Sequence, residues 1–292
     1  MSFEEQKALE SEYVMGTFAR KPVCLVKGEG MRVTTDEGRE LLDFIAGIGV
    51  CSLGHCHPAL VGALKQQAET LIHVSNYYYI EKRGEVAKIL SDMLNDGLEE
   101  EDRFTWQSFF SNSGAESNEC SMKLARLYAR RFGNGGTDIV TLKGSFHGRT
   151  METLAATAQP AKQEAFQPVP GGFIHTPIND LEALQALFDD PANHICAVMV
   201  EPIQGESGVH PCTAEFLQGV ARICRENGAL VIADEVQTGI YRTGKPFGFQ
   251  NFGIVPDIVS MAKGIASGFP MGACAAKAEI ASAFEPGDHG TT

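Results

Sequence analysis

The sequence has few basic residues for its number of acidic ones. It holds 24 lysines and arginines against 37 aspartates and glutamates, a formal net charge of −13, and no block of basic residues. A nucleic-acid-binding surface is therefore not expected. No apolar stretch is long enough to span a bilayer, and the first 13 residues are polar and charged, unlike a secretory signal. These absences predict a soluble, cytoplasmic protein with no membrane partner.

Low-complexity linkers and repeats of fixed period are also lacking. With 292 residues, 43% hydrophobic and 21% charged, the chain can bury a large core. Its eight cysteines are scattered through the sequence, which suits free thiols in a reducing compartment. A metal site is not predicted, because the histidines and cysteine of "GHCHP" are close neighbours on an extended segment and no paired ligand motif follows.

Helical and apolar segments alternate through most of the chain. Residues 3–17 can form a short helix, and the next 25 or so residues alternate around glycines as small antiparallel strands do. Amphipathic helices are then predicted at 58–71, 80–94, 114–131 and 213–227, and apolar strands at 106–110, 138–142, 172–175, 195–200, 229–234, 258–261 and 271–276. This alternation predicts an α/β fold with a mostly parallel central sheet covered on both faces.

One predicted strand ends on an acid, in "GALVIADEVQTGIYRTG". Ligands of open α/β sheets bind outside the carboxyl ends of the strands, and Asp234 stands at such an end. A plainer alternative is that Asp234 caps a helix or turn, as many loop aspartates do. The residue alone leaves both interpretations open.

A lysine follows the next predicted strand, in "PDIVSMAKGIASGFPMGA". Lys263 should emerge at the same sheet edge as Asp234, although a single lysine in such a place is usually a surface residue. Together, an acid that keeps a pyridinium nitrogen protonated and an amine that forms a Schiff base are what a pyridoxal phosphate enzyme requires.

A candidate phosphate site lies in "SFFSNSGAESNECSMKLAR". There a predicted strand passes through Ser113 and Gly114 into a helix, whose first N–H groups and positive dipole end favour an anion. The alternative is a simple helix N-cap, since serine followed by glutamate is a common helix start.

Seven stretches spread over nearly the whole chain carry a family resemblance. They are "LDFIAGIGVCSLGHCHP", "FFSNSGAESNE", "KGSFHGRT", "VEPIQGESGV", "LVIADEVQTGIYRTG", "PDIVSMAKGIASGFPMGA" and "PGDHGTT". In this order they resemble class III, fold type I, pyridoxal phosphate dependent aminotransferases, most closely the acetylornithine and ornithine aminotransferase branch. The resemblance implies that residues 1–50 contribute to a small domain and that 51–292 form the large cofactor-binding domain.

The resemblance also implies a cofactor contact for each matching residue. Lys263 would form the Schiff base with pyridoxal phosphate and move the substrate proton, and Asp234 would pair with the pyridinium nitrogen. The other contacts would be made by Ser113, Gly114 and Ala115 at the phosphate, Phe146 and Val236 on the ring faces, Gln237 at the phenolic oxygen, and Thr292 reaching across from the second subunit of a homodimer.

Substrate contacts follow in the same way. Arg149 matches the arginine that clamps the substrate α-carboxylate, Glu206 matches a glutamate near the substrate pocket, and Glu201 would help to shape that pocket. Phe18 stands where relatives often have a tyrosine facing the substrate, so a hydroxyl contact to the substrate is expected to be missing and the choice of substrate is less well defined. Each match taken singly has a plain alternative, such as a core phenylalanine or a strand-end glutamate.

The implied reaction moves the terminal amine of N2-acetylornithine to 2-oxoglutarate, in arginine biosynthesis. Ornithine, succinylornithine, succinyl-diaminopimelate and 4-aminobutyrate are alternative donors, and a different pyridoxal phosphate reaction would share Lys263 and Asp234. Family members continue beyond the match to Thr292 with a segment that completes the small domain and supplies an arginine partner for Glu206. The small domain is therefore expected to be incomplete, and a truncated homologue that folds without turnover is a further alternative.

Overall fold

A computed structural model describes residues 2–292 of the chain. The chain folds into two compact units, Met1–Ser75 and Asn76–Thr292. The predicted domain roles on either side of residue 50 stay a prediction. No helix within residues 2–292 combines the length and the apolar character that crossing a membrane requires.

The first unit is built on a small antiparallel sheet of three strands in the order β1-β2-β3. Its elements are α1 (Phe3–Tyr13), β1 (Leu25–Glu29), β2 (Arg32–Thr35), β3 (Glu40–Leu42), the short α2 (Ala46–Gly49) and α3 (Pro58–Thr70). Gly30 and Gly38, with positive φ angles of 56° and 82°, lie in the turns on either side of β2. The predicted antiparallel strands are confirmed.

Helix α1 is shorter than the predicted segment 3–17. It begins at a capping box between Ser2 and Glu5 and ends at Tyr13, after which Val14 has extended backbone. None of its residues is buried. Because most helical stability comes from packing of an apolar face, nothing holds a further turn in the helical conformation.

The second unit contains a seven-stranded sheet with helices on both faces. Its helices are α4 (Arg83–Leu94), α5 (Gly114–Arg131), α6 (Met151–Ala156), α7 (Pro160–Gln163), α8 (Leu181–Asp189), α9 (Ala214–Glu226) and α10 (Ala278–Ala281). Its strands are β4 (Trp106–Ser111), β5 (Asp138–Leu142), β6 (Phe173–Thr176), β7 (Ile195–Val200), β8 (Ile203–Gln204), β9 (His210–Pro211), β10 (Leu230–Asp234), β11 (Ile258–Met261) and β12 (Gly272–Lys277).

The order of the large sheet is β4-β12-β11-β10-β7-β5-β6, while β8 and β9 pair separately. Strand β12 is antiparallel to both of its neighbours, and the pairs from β11 through β6 are parallel. All seven strands predicted from the sequence are present in this sheet. The predicted α/β fold with a mostly parallel central sheet is confirmed.

Two hydrophobic clusters lie on opposite faces of this sheet. Val231 and Ala233 of β10 pack in the cluster that includes α8 and α9, whereas Leu230 and Ile232 pack in the cluster that includes α5. Successive side chains of a strand point to opposite faces, so a strand covered on both sides must be apolar throughout. This burial explains why the run before Asp234 contains no polar residue.

Candidate active site

The carboxyl ends of β10 and β11 bring an acid and an amine to one edge of the sheet. Asp234 is the last residue of β10 and lies opposite Ser260 of the parallel strand β11. Lys263 follows β11 and begins a short 3-10 turn, with a φ angle of +48° that is uncommon for a residue with a side chain. The prediction that both residues emerge at the same edge is confirmed.

The Asp234 carboxylate is buried and held by three donors. Its Oδ2 accepts hydrogen bonds from Asn118 Nδ2 at 2.8 Å and from His147 Nδ1 at 2.7 Å, and its Oδ1 accepts the Val236 N–H at 3.0 Å. No lysine or arginine of residues 2–292 lies within 4.0 Å of it. The carboxylate is therefore fixed in position while its charge is balanced only in part.

His147 is a site residue that the sequence reasoning missed. Its ring is fully buried beneath Asp234, and Nε2 has no hydrogen-bond partner within the described part of the chain. Burial alone lowers the pKa of His147, but the hydrogen bond and charge of Asp234, with Glu201 further away, outweigh it and raise the pKa. The only signal in the sequence was its place beside Phe146.

Burial lowers the pKa of the Lys263 amine below its usual value, and the charges of Asp234, Glu201 and Glu206 oppose this shift only in part. A lowered pKa increases the fraction of lysine that is neutral near pH 7. A neutral amine is the form that attacks a carbonyl carbon or accepts a proton.

A second buried carboxyl group, Glu201, lies close to this cluster. Its Oε2 accepts the backbone N–H of Phe146 at 2.9 Å, which anchors the loop that carries Phe146 and His147. Burial raises the pKa of Glu201 to about 7, with His147 lowering it and Asp234 raising it. The position supports the prediction that Glu201 shapes the pocket wall.

The N-terminus of α5 approaches the same region. Ser113 caps the helix by accepting the Glu116 N–H, and helix geometry leaves the N–H groups of Gly114 and Ala115 without intrahelical partners. A Cβ atom built on Gly114 would lie 2.7 Å from Val236 Cγ1, so the helix start packs directly against the residue two after Asp234. A Cβ atom on Gly148 would similarly lie 2.9 Å from Ala115 Cβ.

Gln237 reaches the loop after β8. A Cβ atom on Gly205 would lie 1.5 Å from Gln237 Oε1, so the end of the Gln237 side chain lies against the Gly205 backbone. The predicted cofactor residues of β10, of the α5 start and of the Phe146 loop thus surround one region at the strand ends.

The predicted substrate residues lie beside Phe146. Arg149 Cζ is 5.6 Å and Lys162 Nζ is 5.9 Å from the centroid of the Phe146 ring. Glu206 pairs with Lys162 at 3.0 Å and accepts a hydrogen bond from Gln159 at 2.9 Å. Sequence reasoning did not single out Lys162 or Gln159.

Two predicted site residues are not placed at this cluster by the structure. Phe18 belongs to the first unit and is 74% exposed. Thr292 is exposed, and its neighbour Thr291 bonds to residues of the same chain, through its carbonyl to Asn76 Nδ2 at 3.1 Å and through Oγ1 to Asn112 Nδ2 at 3.3 Å. The roles of Phe18 and Thr292 stay predictions.

Glu235 is a second residue that the sequence reasoning left without a role. Its buried carboxylate accepts hydrogen bonds from Thr238 Oγ1 at 2.6 Å, Gly248 N at 2.8 Å and Phe249 N at 2.7 Å. These bonds close the loop that begins with Val236 and Gln237, so Glu235 holds the chain that lies beside Asp234.

The residues at the strand ends fit pyridoxal phosphate. The α5 start offers unpaired N–H groups to a phosphate, and within the described residues the buried Asp234 lacks a lysine or arginine partner, as suits a protonated pyridine nitrogen. The buried Nε2 of His147 and Oδ1 of Asn118, both without partners in residues 2–292, mark the same place as polar. Within that part of the chain, no group of three or more His, Cys, Asp and Glu side chains could hold a metal ion.

Comparisons with known proteins agree with this geometry. The family model for class III aminotransferases matches residues 16–292. The chain is 52% identical over 284 residues to the acetylornithine aminotransferase of Caldanaerobacter subterraneus subsp. tengcongensis, covering 97% of this chain and 69% of that protein. Over 293 residues it is 45% identical to the acetylornithine aminotransferase of Methanocaldococcus jannaschii, covering 100% of this chain and 71% of that protein.

Solved structures show the same fold. The ornithine aminotransferase from Toxoplasma gondii ME49 superposes with a TM-score of 0.90 at 31% identity, covering 100% of this chain and 68% of that one. The acetylornithine aminotransferase from Elizabethkingia anophelis gives a TM-score of 0.82 at 31% identity, again with 100% and 68% coverage. With its acid, amine and anion site at one sheet edge, the chain belongs to the class III aminotransferases and is a pyridoxal phosphate dependent enzyme.

Proposed function

We propose that this aminotransferase transfers the terminal amine of N2-acetylornithine to 2-oxoglutarate, a step of arginine biosynthesis. The observation that carries the reaction type is that buried Asp234 and partly buried Lys263 stand at adjacent strand ends beside the α5 N-terminus. The donor is supported by the identity of 45% to 52% with acetylornithine aminotransferases.

The cofactor would be held by residues that surround the strand ends. Ser113, Gly114 and Ala115 would bind its phosphate, and Phe146 and Val236 would lie against its ring. Gln237 would bind the phenolic oxygen, and Asp234 would bind the ring nitrogen. When bound, pyridoxal phosphate supplies an electron-withdrawing ring that makes the carbon bearing the substrate amine more acidic.

Lys263 is the residue that forms the covalent link and moves the proton. Burial lowers its pKa, which favours the neutral Nζ that can accept a proton from the substrate carbon and return it. Asp234 is held in position by hydrogen bonds from Asn118 of α5 and from His147 of the loop after β5. His147 therefore orients the Asp234 carboxylate through the hydrogen bond between its Nδ1 and Oδ2 of Asp234.

The substrate lies on the open side of Phe146. Arg149 is exposed and binds a substrate carboxylate in a bidentate pair. Glu206 faces the far end of the donor, and Phe18 contributes an apolar contact to substrate choice.

The active form is a homodimer with shared sites, in which Thr292 of each chain contacts the phosphate of the other. Large exposed aromatic side chains support an interaction surface on the second unit, since Tyr78 is 65% and Tyr79 102% exposed. A cytoplasmic location and the division of the chain into a large domain from residue 51 and a part of the small domain remain parts of this proposal.

An absorption experiment tests the cofactor site. The purified chain is mixed with pyridoxal phosphate, reduced with borohydride and digested for peptide mapping, beside the Lys263→Ala and Lys88→Ala variants. A reduced adduct on Lys263, lost in Lys263→Ala and kept in Lys88→Ala, is expected. An adduct spread over surface lysines would contradict the proposed site.

Half-reaction measurements then test which amine is the donor. Single half-reactions with acetylornithine, ornithine, succinylornithine, succinyl-diaminopimelate and 4-aminobutyrate are followed by the cofactor spectrum. Acetylornithine is expected to react with the highest kcat/KM. Ornithine is the second candidate, because the fold matches the Toxoplasma gondii ornithine aminotransferase with a TM-score of 0.90. Absence of any spectral change with acetylornithine would rule out the first choice.

A further inference from the structure

The segment 285–292 lies along helix α5 and runs toward the N-terminus of that helix. Near its beginning, Asp288 pairs with Arg131 at 3.2 Å, in the last turn of α5. Further along the segment, Thr291 Oγ1 accepts a hydrogen bond from Asn112 Nδ2 at 3.3 Å, just before α5 begins. The segment therefore reaches the helix start, where the phosphate site is proposed.

Between these two points, His289 contacts three side chains of its own chain. Its ring centroid lies 4.6 Å from that of Phe109 in β4 and 5.5 Å from that of Phe284, and it stacks on Phe284 with an interplanar angle of 9°. Its Nδ1 lies 3.0 Å from Lys123 Nζ. Because an ammonium group has only donors, Nδ1 accepts this bond and the ring is neutral. Burial and the Lys123 charge lower the pKa of His289, which favours the neutral ring.

Lys123 binds two consecutive residues of the segment, because its Nζ also donates to the Asp288 carbonyl at 3.1 Å. The contacts of Thr291 are weaker anchors, since its hydrogen bonds are exposed and compete with water. Gly287 and Gly290 leave the backbone on both sides of His289 with much conformational freedom. The half-buried His289 ring, bound by Lys123, is therefore the contact that restricts this part of the chain.

We infer that His289 is a positioning residue: bound by Lys123, it holds the segment 285–292 along α5 and so fixes Thr291 and Thr292 for contact with a cofactor phosphate. This inference rests on the proposed contact between Thr292 and the phosphate, whether in the same chain or in a second subunit. His289 acts through the segment and does not itself touch the cofactor. It therefore sets the affinity for compounds that carry the phosphate.

Pyridoxal phosphate and pyridoxal, which lacks the phosphate, are the two probes. Both carry the aldehyde that reacts with Lys263, so only the phosphate distinguishes them. Their dissociation constants are measured by absorption on the full chain for the wild type, His289→Phe, Lys123→Met and the double variant. Phenylalanine keeps a ring against Phe109 and Phe284 but accepts no hydrogen bond, and methionine keeps the apolar stem of lysine without its charge.

His194→Phe and Lys88→Met are the matched controls. His194 is exposed and directly precedes β7, at the sheet edge opposite the carboxyl ends of the parallel strands. Lys88 pairs with Asp92 on an exposed helix surface. Hydrogen exchange of a peptide that covers residues 285–292 gives a second measurement, which does not depend on the cofactor. Exchange of strand β10 in the same experiment identifies any variant that fails to fold.

The ratio of the two affinities is the decisive quantity. His289→Phe is expected to weaken binding of pyridoxal phosphate by about three- to tenfold, the value of one lost hydrogen bond, and to leave binding of pyridoxal unchanged. Lys123→Met should act in the same direction. The double variant should bind no more weakly than Lys123→Met alone, because both substitutions remove one shared contact. Exchange across residues 285–292 should be faster in all three variants, and both controls should match the wild type.

Three results would overturn the inference. The first is a wild-type affinity ratio in His289→Phe. The second is an equal loss of affinity for both probes, which would mean that His289 only supports the fold. The third is a double variant in which the two losses multiply, because His289 and Lys123 would then act independently.

Failure of the proposed cofactor site is recorded separately, as absence of an adduct on Lys263 with either probe in the wild type. Hydrogen exchange then decides the inference. Unchanged exchange of residues 285–292 in His289→Phe would overturn it, and faster exchange would support the role of His289 in holding the segment.

Discussion

Asp234 illustrates how a single residue combines burial with charge. Its carboxylate is 3% exposed and accepts bonds from Asn118, His147 and the Val236 N–H. A buried carboxylate without a full counter-charge is unfavourable unless something completes it. In the proposed cofactor site the completing group would be the protonated ring nitrogen of pyridoxal phosphate, and that proposal accounts for a strand that ends on an acid.

Replacement of Asp234 by asparagine tests this account. The amide keeps the shape but cannot balance a protonated nitrogen, so affinity for pyridoxal phosphate should fall by about 10- to 100-fold, the value of a hydrogen bond to a charged group. Cofactor titration followed by absorption measures the change. Asp257→Asn is the control, because Asp257 is a carboxylate that pairs with Lys277 and the Val231 N–H. An equal loss in both variants would contradict a specific role for Asp234.

The neighbouring acid, Glu235, should make stability depend on pH. Burial raises its pKa to about 7, against a usual value of 4.5. The folded chain therefore keeps a proton that the unfolded chain releases, and this stabilising contribution is complete below pH 4.5 and is lost as the pH rises through about 7.

Glu235→Gln is expected to lower the free energy of unfolding by about 1–3 kcal/mol, because the amide nitrogen of glutamine cannot accept the backbone N–H bond that the second carboxyl oxygen accepts. The difference between wild type and variant should be larger at pH 5 than at pH 8. Urea unfolding across this range measures it, and the titration of Glu201 and His147 cancels because both proteins contain them. Glu226→Gln, at an exposed glutamate paired with Arg222, is the control. A difference that does not change with pH would refute the assignment.

The sequence predicted the acid, the amine and the anion site, but not the residues that support them. Asp234 and Lys263 were found because each follows an apolar strand, a pattern visible without coordinates. His147 contacts Asp234 and Lys162 contacts Glu206, and the segments that bring each pair together have no periodic pattern in the sequence. Contacts between segments that are distant in the sequence become visible only in the folded structure.

At the scale of elements, strands were predicted better than the ends of helices. Strand β10 is apolar throughout because alternate residues enter two different cores, and the run Ala229–Asp234 in the sequence marks it almost to the residue. The prediction for helix α1 ran to residue 17, past its end at Tyr13, because no buried face marks where this helix ends. A strand that is buried on both faces leaves a stronger pattern in the sequence than the exposed end of a helix.

The start of α5 joins the helix to the strand ends, and Gly114 makes that approach possible. A Cβ atom there would lie 2.7 Å from Val236 Cγ1. Gly114→Ala should therefore shift Val236 or the helix start, lower stability by about 1–3 kcal/mol and weaken binding of the cofactor phosphate. Denaturant unfolding and phosphate-dependent thermal shifts measure the two effects.

Gly84→Ala is the matched control, because Gly84 lies in the first turn of α4 and a Cβ atom there would meet no neighbouring group within 4 Å. This substitution should stabilise the chain by about 0.4–1 kcal/mol and leave phosphate binding unchanged. If both alanine variants behave alike, close packing of Gly114 against Val236 is not what the helix start requires.

At the scale of the whole molecule, the open point is which chain supplies Thr292 to a given site. Thr291 is bonded to Asn76 and Asn112 of its own chain, and Asn112 directly precedes the helix cap Ser113. This arrangement allows the end of the segment to serve its own site, whereas the family resemblance places it in the site of a second subunit. The two arrangements differ in how variants combine.

Subunit complementation separates them. Thr292→Ala should bind pyridoxal phosphate about tenfold more weakly, through loss of one hydrogen bond to a charged group, and Lys263→Ala should form no adduct. If Thr292 reaches across, a mixed dimer of the two variants has one complete site, made of Lys263 from one chain and Thr292 from the other. Co-expression should then restore a borohydride-reduced adduct at limiting cofactor, and sedimentation should show a dimer. A monodisperse monomer, or a mixture that never exceeds the Thr292→Ala chain alone, would place Thr292 in its own site.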